Sequence, residues 1–344
     1  MENARLGGRC LAQRIRPMIT LAQVALRAGC SLATVSRVLN RTGPVSDEMV
    51  RKVRRAAAEL GFRSAPGSAG MSKRRPVIGV LIPSITNPVF AASLSSIQNR
   101  MLVAGHGVLI AQSDYDPARE ADAVASLLNE QPTGLILTVC DSSTSAALTA
   151  GLPPTVLMSN PPNVDFPAAV TVDNRRAGRD ITDHLISCGH RRILFVSGYF
   201  GASDRARLRY AGYREAIEQA GHTALEALQI PFVGGFDALD LSEAITDFSP
   251  TAIIASNDLL ALGVIAALRR QELMVPEHIS VAGFDGIAIG RLTYPVLTTV
   301  EMPDATMGAA AASMLLDMAE NAAPPRHMQV AHRLRPGGTV RDIS

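Results

Sequence analysis

Apolar residues recur at helical spacing in three short blocks near the start of the chain. Leu21, Val24, Ala25 and Ala28 form the first, which Gly29 stops. Ser31 caps the second, whose apolar side holds Val35, Val38 and Leu39 before Asn40 and Gly43-Pro44 end it. Ser46 caps the third, with Asp47 and Glu48 in its first turn, where the positive end of the helix dipole favours them. Val50, Val53, Ala57 and Leu60 line its inner side, and Gly61 ends it. Three helices in about 45 residues enclose only a marginal core, which suits a small binding module.

The pattern changes after residue 76. Val77–Ile82 is one continuous apolar run, as in a buried parallel strand. Strand and helix patterns then alternate. Strands are expected at Gly107–Ala111, Gly134–Val139, Thr155–Met158, Ala169–Val172, Arg192–Val196, Ala252–Ala255 and Ser280–Phe284. Helices are expected at Phe90–Ala104, Pro117–Asn129, Ala177–Cys188, Ala206–Ala220, Leu239–Asp247, Asp258–Gln271 and Pro303–Ala319. Such alternation implies parallel sheets wound by right-handed crossovers. Its length is better shared between two sheets than put into one. Between the two regimes, residues 64–76 (SAPGSAGMSKRRP) have the composition of a linker. Residues 1–17 carry no periodic pattern.

Charge sharpens this division. The net charge of +2 hides a basic head and an acidic remainder. Residues 1–75 hold 15 of the 33 Lys and Arg and 4 of the 31 Asp and Glu, a balance of +11. The rest holds 18 against 27, a balance of −9. A compact basic module points to nucleic acid before an anionic membrane surface, because no exposed aromatic or Leu-rich helix face accompanies the charge. The chain has no apolar run long enough to span a bilayer, and its N-terminus lacks the apolar stretch of a secretory signal. A cytoplasmic location is expected. The four cysteines lie far apart without metal-ligand spacing, so they read as reduced thiols.

Catalytic signatures are missing. The sequence has no GxGxxG, GxxxxGK, GxSxG or HExxH. No nucleophile–base set or cofactor loop supports an enzyme. His190 follows Gly189 at a helix end, where a structural role is expected. Asp141, Asp173, Asp258 and Asp285 follow strands, at the carboxyl edge where parallel sheets bind ligands, and Asp258 fits the start of its helix as a cap. Uncoupled polar groups at strand ends favour a binding cleft. Sugars suit carboxylate, amide and guanidinium groups set beside an aromatic wall, and Phe90 stands out in a chain with no Trp.

From Ile19 to about Thr339 the chain resembles the LacI/GalR family of bacterial transcription regulators. The stretches that carry the likeness include "TLAQVALRAGCSLATVSRVLN", "VSDEMVRKVRRAAAELGF", "IGVLIPSITNPVFAASL", "VDNRRAG", "RLRYAGYREAIEQAG", "PTAIIASNDLLALGVIAAL", "VPEHISVAGFDG" and "PVLTTV". The resemblance implies an α/β protein with a helix-turn-helix head at 18–63 and a hinge at 64–76. It also implies a periplasmic-binding-protein-like core at 77–344, built as two doubly wound parallel-sheet lobes. Lobe 1 would span about 77–172 and 303–331, and lobe 2 about 173–301 and 332–344. Such proteins act as homodimers on pseudo-palindromic operator DNA, most as repressors, and a small effector between the lobes controls them. No cofactor is implied. A solute-binding protein of the same lineage is the alternative reading; it would need an export signal and no DNA-binding head.

Carried over residue by residue, the likeness makes Leu32, Ala33 and Arg37 the base-facing set, with Ser31, Thr34, Ser36 and Asn40 on phosphates or in positioning roles. Arg37 can grip guanine O6 and N7, whereas Leu32 and Ala33 offer apolar contact alone. Met71 takes the place of the minor-groove wedge in the hinge. There Ser64-Ala65 replaces the usual Pro-Asn, and Pro66, Gly67 and Gly70 are poor helix residues. In the core, Arg209, Asn257 and Asp285 match the polar effector contacts and Phe90 the aromatic wall, with Asn87, Ser159 and Asp173 as further contacts. The effector is expected to be a sugar or sugar acid; "SDYDPARE" is similar to gluconate-type members.

Overall fold

The computed structural model describes residues 19–40, 43–60, 62 and 75–344. The wedge residue Met71, the extension 1–17 and the side chain of Asn40 lie outside what it describes. The chain divides into two compact units, Met1–Arg74 and Arg75–Ser344.

The first unit holds α1 (Leu21–Ala28), α2 (Leu32–Asn40) and α3 (Asp47–Leu60). Thr20 and Gln23 form a reciprocal capping box at the start of α1, and Gly29 closes that helix in the left-handed conformation at φ 65°. Ser31 Oγ accepts from the Thr34 amide at 3.1 Å and starts α2. Val24, Ala25, Val35, Val38, Val53, Ala56 and Ala57 bury together. The Arg27–Glu59 ion pair, at 2.7 Å, ties α1 to α3 at the rim.

The second unit contains two six-stranded sheets. In chain order its first half runs β1 (Val77–Ile82), α4 (Pro88–Val103), β2 (Gly107–Gln112), α5 (Pro117–Leu128), β3 (Leu135–Leu137), β4 (Thr155–Met158) and β5 (Ala169–Thr171). Then follow α6 (Asn174–Ser187), β6 (Ile193–Gly198), α7 (Asp204–Gln219), β7 (Leu228–Ile230), α8 (Ser242–Phe248), β8 (Ala252–Ala255), α9 (Asp258–Arg270), β9 (Ser280–Asp285) and β10 (Thr298–Glu301). The chain ends with α10 (Asp304–Asn321), β11 (His327–Gln329) and β12 (Arg333–Arg335).

The sheet orders are β11-β5-β4-β3-β1-β2 and β12-β10-β9-β8-β6-β7. Strands β1–β5 and β6–β10 therefore share one topology, a likeness the sequence does not display as a repeat. The chain passes from the first sheet to the second after β5, back at α10, and over again between β11 and β12. Both sheets are parallel except that β12 runs antiparallel to β10. That strand departs from the expected all-parallel pattern because a short link brings it to an open edge, where no crossover is needed.

Each sheet is covered on both faces. Ile78, Val80, Ile136 and Val156 pack under α4 and α10, while Leu81, Leu135, Leu137 and Leu157 face α5. In the second lobe Leu194, Ile253 and Val281 face α8 and α9, while Phe195, Ile254 and Phe284 face α6 and α7. Burying each such side chain contributes about 1.5–3 kcal/mol. His190 is structural: its ring joins Thr251 Oγ1 (3.1 Å) and the Arg341 carbonyl (3.2 Å), and burial lowers its pKa. Asp258 does not cap its helix. Asn257 does, and Asp258 is buried, accepting from Thr299 Oγ1 (2.6 Å) and the Ile287 amide (2.9 Å). Among the described residues no helix is long and apolar enough to cross a membrane.

Helices α6 and α7 touch through glycines. A Cβ on Gly178 would collide with the Arg209 carbonyl, and one on Gly212 with the Arg175 carbonyl. Gly178→Ala gains about 1 kcal/mol of helix propensity but forces two backbones apart. The collision dominates, and a net loss of about 1–3 kcal/mol is expected. A lower urea midpoint at unchanged slope would record it; an unchanged midpoint would contradict this packing.

Candidate functional site

The carboxyl ends of both sheets open onto one cavity between the lobes. It holds about 560 Å³ of space free of protein atoms, counting its open mouth. This is the edge at which open α/β sheets offer ligand contacts. Five of its lining residues lie at helix starts: Asn87 (α4), Asn174 (α6), Ser203 (α7), Asn257 (α9) and Asp304 (α10). Asn87 Oδ1 caps α4 through the Val89 amide (3.2 Å), and Asn257 Oδ1 caps α9 through the Leu260 amide (2.8 Å). Capping engages their carbonyl oxygens, and the Nδ2 amides remain as donors. The Asn87 amide donates to the Tyr115 hydroxyl at 3.3 Å.

Arg209 is the electrostatic centre. It projects from α7 and is buried. Its Nε donates to Asn174 Oδ1 (2.9 Å), and its Nη1 donates to the Ser256 carbonyl (2.6 Å) and to Asp285 Oδ1 (3.2 Å). The guanidinium also lies 4.7 Å over the Phe284 ring. Asp285 ends β9 in the left-handed region, at φ 108°. That conformation is costly for a residue with a side chain, and the Arg209 ion pair holds it. Burial pushes the Asp285 carboxyl up to about 6, against the pull of Arg209. Asp304, at the start of α10, also lines the cavity. Burial, then the charge of Asp285, raises its pKa well above the usual range. One of these two neighbouring carboxyls is therefore held toward its neutral form.

Aromatic groups line part of the cavity. Phe90 is both core and wall. Tyr115 of lobe 1 stacks on Phe232 of lobe 2, centroids 4.4 Å apart, and stands 6.4 Å from Phe90. Such a stack spans the lobes with apolar surface on which a ring face can pack.

The cavity brings together Phe90, Asn87, Ser159, Arg209, Asn257 and Asp285. Asp173 stands apart: it caps α6 through the Arg176 amide (2.8 Å) and lines a separate outer groove with Arg176 and His332. A carboxylate at a strand end here serves its helix. Sequence reasoning missed Tyr115, Arg205, Phe232 and Asp304. Arg205 sits one turn before Arg209 on α7, so i, i+4 spacing was a usable signal. Tyr115 lies within "SDYDPARE", held at φ 57° in the turn after β2. Phe232 follows β7, a strand without an apolar run, and left no signal.

In the first unit, α2 buries Val35 and Val38 and turns Leu32, Ala33 and Arg37 outward. Ala33 and Arg37 are one turn apart on the exposed side. Ser31 is exposed and lies 2.9 Å from Thr34 Oγ1. Thr34 and Ser36 are half-buried at the edges. Its buried and exposed residues fall on opposite faces of one helix.

Residues 20–64 match the family model described as bacterial regulatory proteins, lacI family. Residues 182–340 match the periplasmic binding protein-like domain. The chain is 32% identical over 299 residues to the HTH-type transcriptional regulator DegA of Bacillus subtilis, covering 84% of this chain and 88% of that protein. It is 32% identical over 312 residues to the ribose operon repressor of Escherichia coli, covering 87% and 92%. A crystal structure of the lac repressor dimer bound to operator and the anti-inducer ONPF matches with TM-score 0.68 at 25% identity, over 94% of this chain and 99% of that one. These likenesses run through the head and both lobes, and the proteins that carry them are regulators. The chain belongs to the LacI family of bacterial regulatory proteins, and is a DNA-binding transcription regulator with a helix-turn-helix head and a periplasmic-binding-protein-like core.

Proposed function

We propose that this regulator is a repressor that reads its operator through Arg37 and is controlled by a polyhydroxylated effector held between the lobes. The observation that carries the effector reading is the buried Arg209–Asp285 pair facing a cavity with an aromatic wall. Paired charges and amides exchange hydrogen bonds with several hydroxyls, and an aromatic face covers the apolar side of a ring.

At the operator, α2 enters the major groove. Arg37 supplies the bidentate contact to guanine, while Leu32 and Ala33 touch base methyls. Ser31, Thr34, Ser36 and Asn40 fix the helix on phosphates, and Met71 is the hinge wedge. The protein works as a homodimer. Leu102 and Val103 at the end of α4, with Ile110 on the edge strand β2, leave apolar surface exposed on lobe 1. Leu292 and Tyr294, 84% and 93% exposed, do so on lobe 2. Patches of this kind mark association surfaces.

Three outcomes are expected. Arg37→Ala weakens the specific site by about 1–3 kcal/mol and leaves nonspecific DNA affinity nearly unchanged; equal losses on both, by fluorescence anisotropy, would remove Arg37 from the reading set. Wild-type operator affinity falls steeply on a log–log plot against salt; a flat plot would contradict phosphate-dominated docking.

The third concerns Asp285. Below about 6 it takes up a proton and ceases to be a charged acceptor. Effector affinity should therefore fall about fourfold between pH 7.5 and 5.5. Asp285→Asn should lower it about 10–100-fold at pH 7.5 and flatten the pH dependence, with operator affinity unaltered. Calorimetry of effector binding across that range checks both, and a variant with undiminished affinity would move the site elsewhere.

A further inference from the structure

Arg205 is a second buried guanidinium on the same wall of the cavity as Arg209, and its bonds are incomplete. The residue is 7% exposed and lines the cavity. Its Nη1 donates to the Val139 carbonyl of lobe 1 at 2.9 Å and sits 3.4 Å from Asp204 Oδ1. Its Nη2 is buried and has no hydrogen-bond partner. A buried cationic donor left unmade is costly, and native structures rarely keep one without use.

Its counter-ion is poorly placed. Asp204 is committed to lobe 1, where its Oδ2 accepts from Asn160 Nδ2 (2.8 Å) and the Ser142 amide (3.3 Å). Asp285 is engaged by Arg209. Arg205 also lies in the first turn of α7, at the positive end of the helix dipole, the wrong end for a cation. The amino ends of α4 and α9 face the same space through Asn87 and Asn257. The buried hydroxyl of Ser256, also without a partner, lines it too. Two buried donors without partners thus line one cavity with helix amino ends, groups that suit an oxyanion, while of the carboxyls there Asp285 is paired with Arg209 and Asp304 is held toward its neutral form.

Resting on the effector reading above, we propose that the effector is anionic, a polyhydroxylated carboxylate or phosphate whose oxyanion docks on Arg205 Nη2. The hydroxyl-bearing remainder lies toward Arg209, Asp285 and Asn257. Arg205 thereby decides acid against neutral sugar. Because its Nη1 grips a lobe 1 carbonyl, the same side chain ties the anion to both lobes.

The test is a calorimetric and thermal-shift panel on the full chain. It pairs D-gluconate, D-glucuronate and D-glucose 6-phosphate with D-glucose and D-glucitol, and includes inorganic phosphate. At least one acid should bind ten or more times tighter than its neutral counterpart. Gluconate or glucuronate alone would identify a carboxylate, glucose 6-phosphate alone a phosphate. Arg205→Met should cut affinity for that acid about 10–100-fold and lower the ratio of acid to neutral affinity at least tenfold; Arg205→Lys should retain part of the acid preference. Circular dichroism and the neutral compounds report on folding of both variants. Neutral sugars binding as tightly as acids overturn the proposal and leave the cleft reading standing. Undiminished acid binding by a folded Arg205→Met also overturns it, as does inorganic phosphate binding as tightly as the acids. No binding by any compound removes the cleft reading with it.

Discussion

The guanidinium of Arg209 joins parts of the core that the chain makes at widely separated places. One side chain on α7 reaches the start of α6 at Asn174, the end of β8 at Ser256 and the end of β9 at Asp285, and covers the Phe284 ring. Its reach depends on how closely α7 lies on α6. Two glycines set that distance, because the carbonyls of Arg209 and Arg175 occupy the space a methyl group would need. Close backbone packing of α7 on α6 thus positions the charge that reaches the start of α6.

The first turn of α7 also carries the polar link between lobes. The Asp204 amide donates to the Cys140 carbonyl at 2.7 Å, its carboxylate holds Asn160, and Arg207 pairs with Asp141 at 2.6 Å. Across the cavity, the Tyr115–Phe232 stack supplies an apolar contact. A molecule entering between these contacts touches both lobes at once. Its differential contact with open and closed arrangements is the free energy by which it shifts the regulator between states.

In the head, economy decides the design. Among the described residues, seven buried ones, three of them alanines, make a core too small to hold three helices without well-formed ends. The capping box at Thr20, the left-handed Gly29 and the Ser31 cap satisfy amides and carbonyls that packing cannot reach. The α2 face thereby stays free of packing duty.

How much was legible in the sequence follows from where the information lies. Periodicity is a local property, so the three head helices and the long buried strands were readable from apolar spacing. Thr155–Met158 and Ala252–Ala255 match to the residue. The short edge strands β7, β11 and β12 were not, because an edge exposed to water needs no apolar run, nor was the interior strand β10, whose four residues TTVE include one aliphatic side chain. Likeness to the family supplied Arg209, Asn257 and Asp285 as candidates, but not what each does. Asn257 both caps a helix and lines the cavity, whereas Asp173 only caps, and both look alike in sequence. Asp304 and Phe232 became visible only when three crossings of the chain brought strand ends from two sheets to one space. Sequence alone determined the helices, the apolar strands and the division into basic head and acidic core, since those depend on neighbours along the chain. The tertiary structure decided which charges face each other, because burial and pairing depend on neighbours across it.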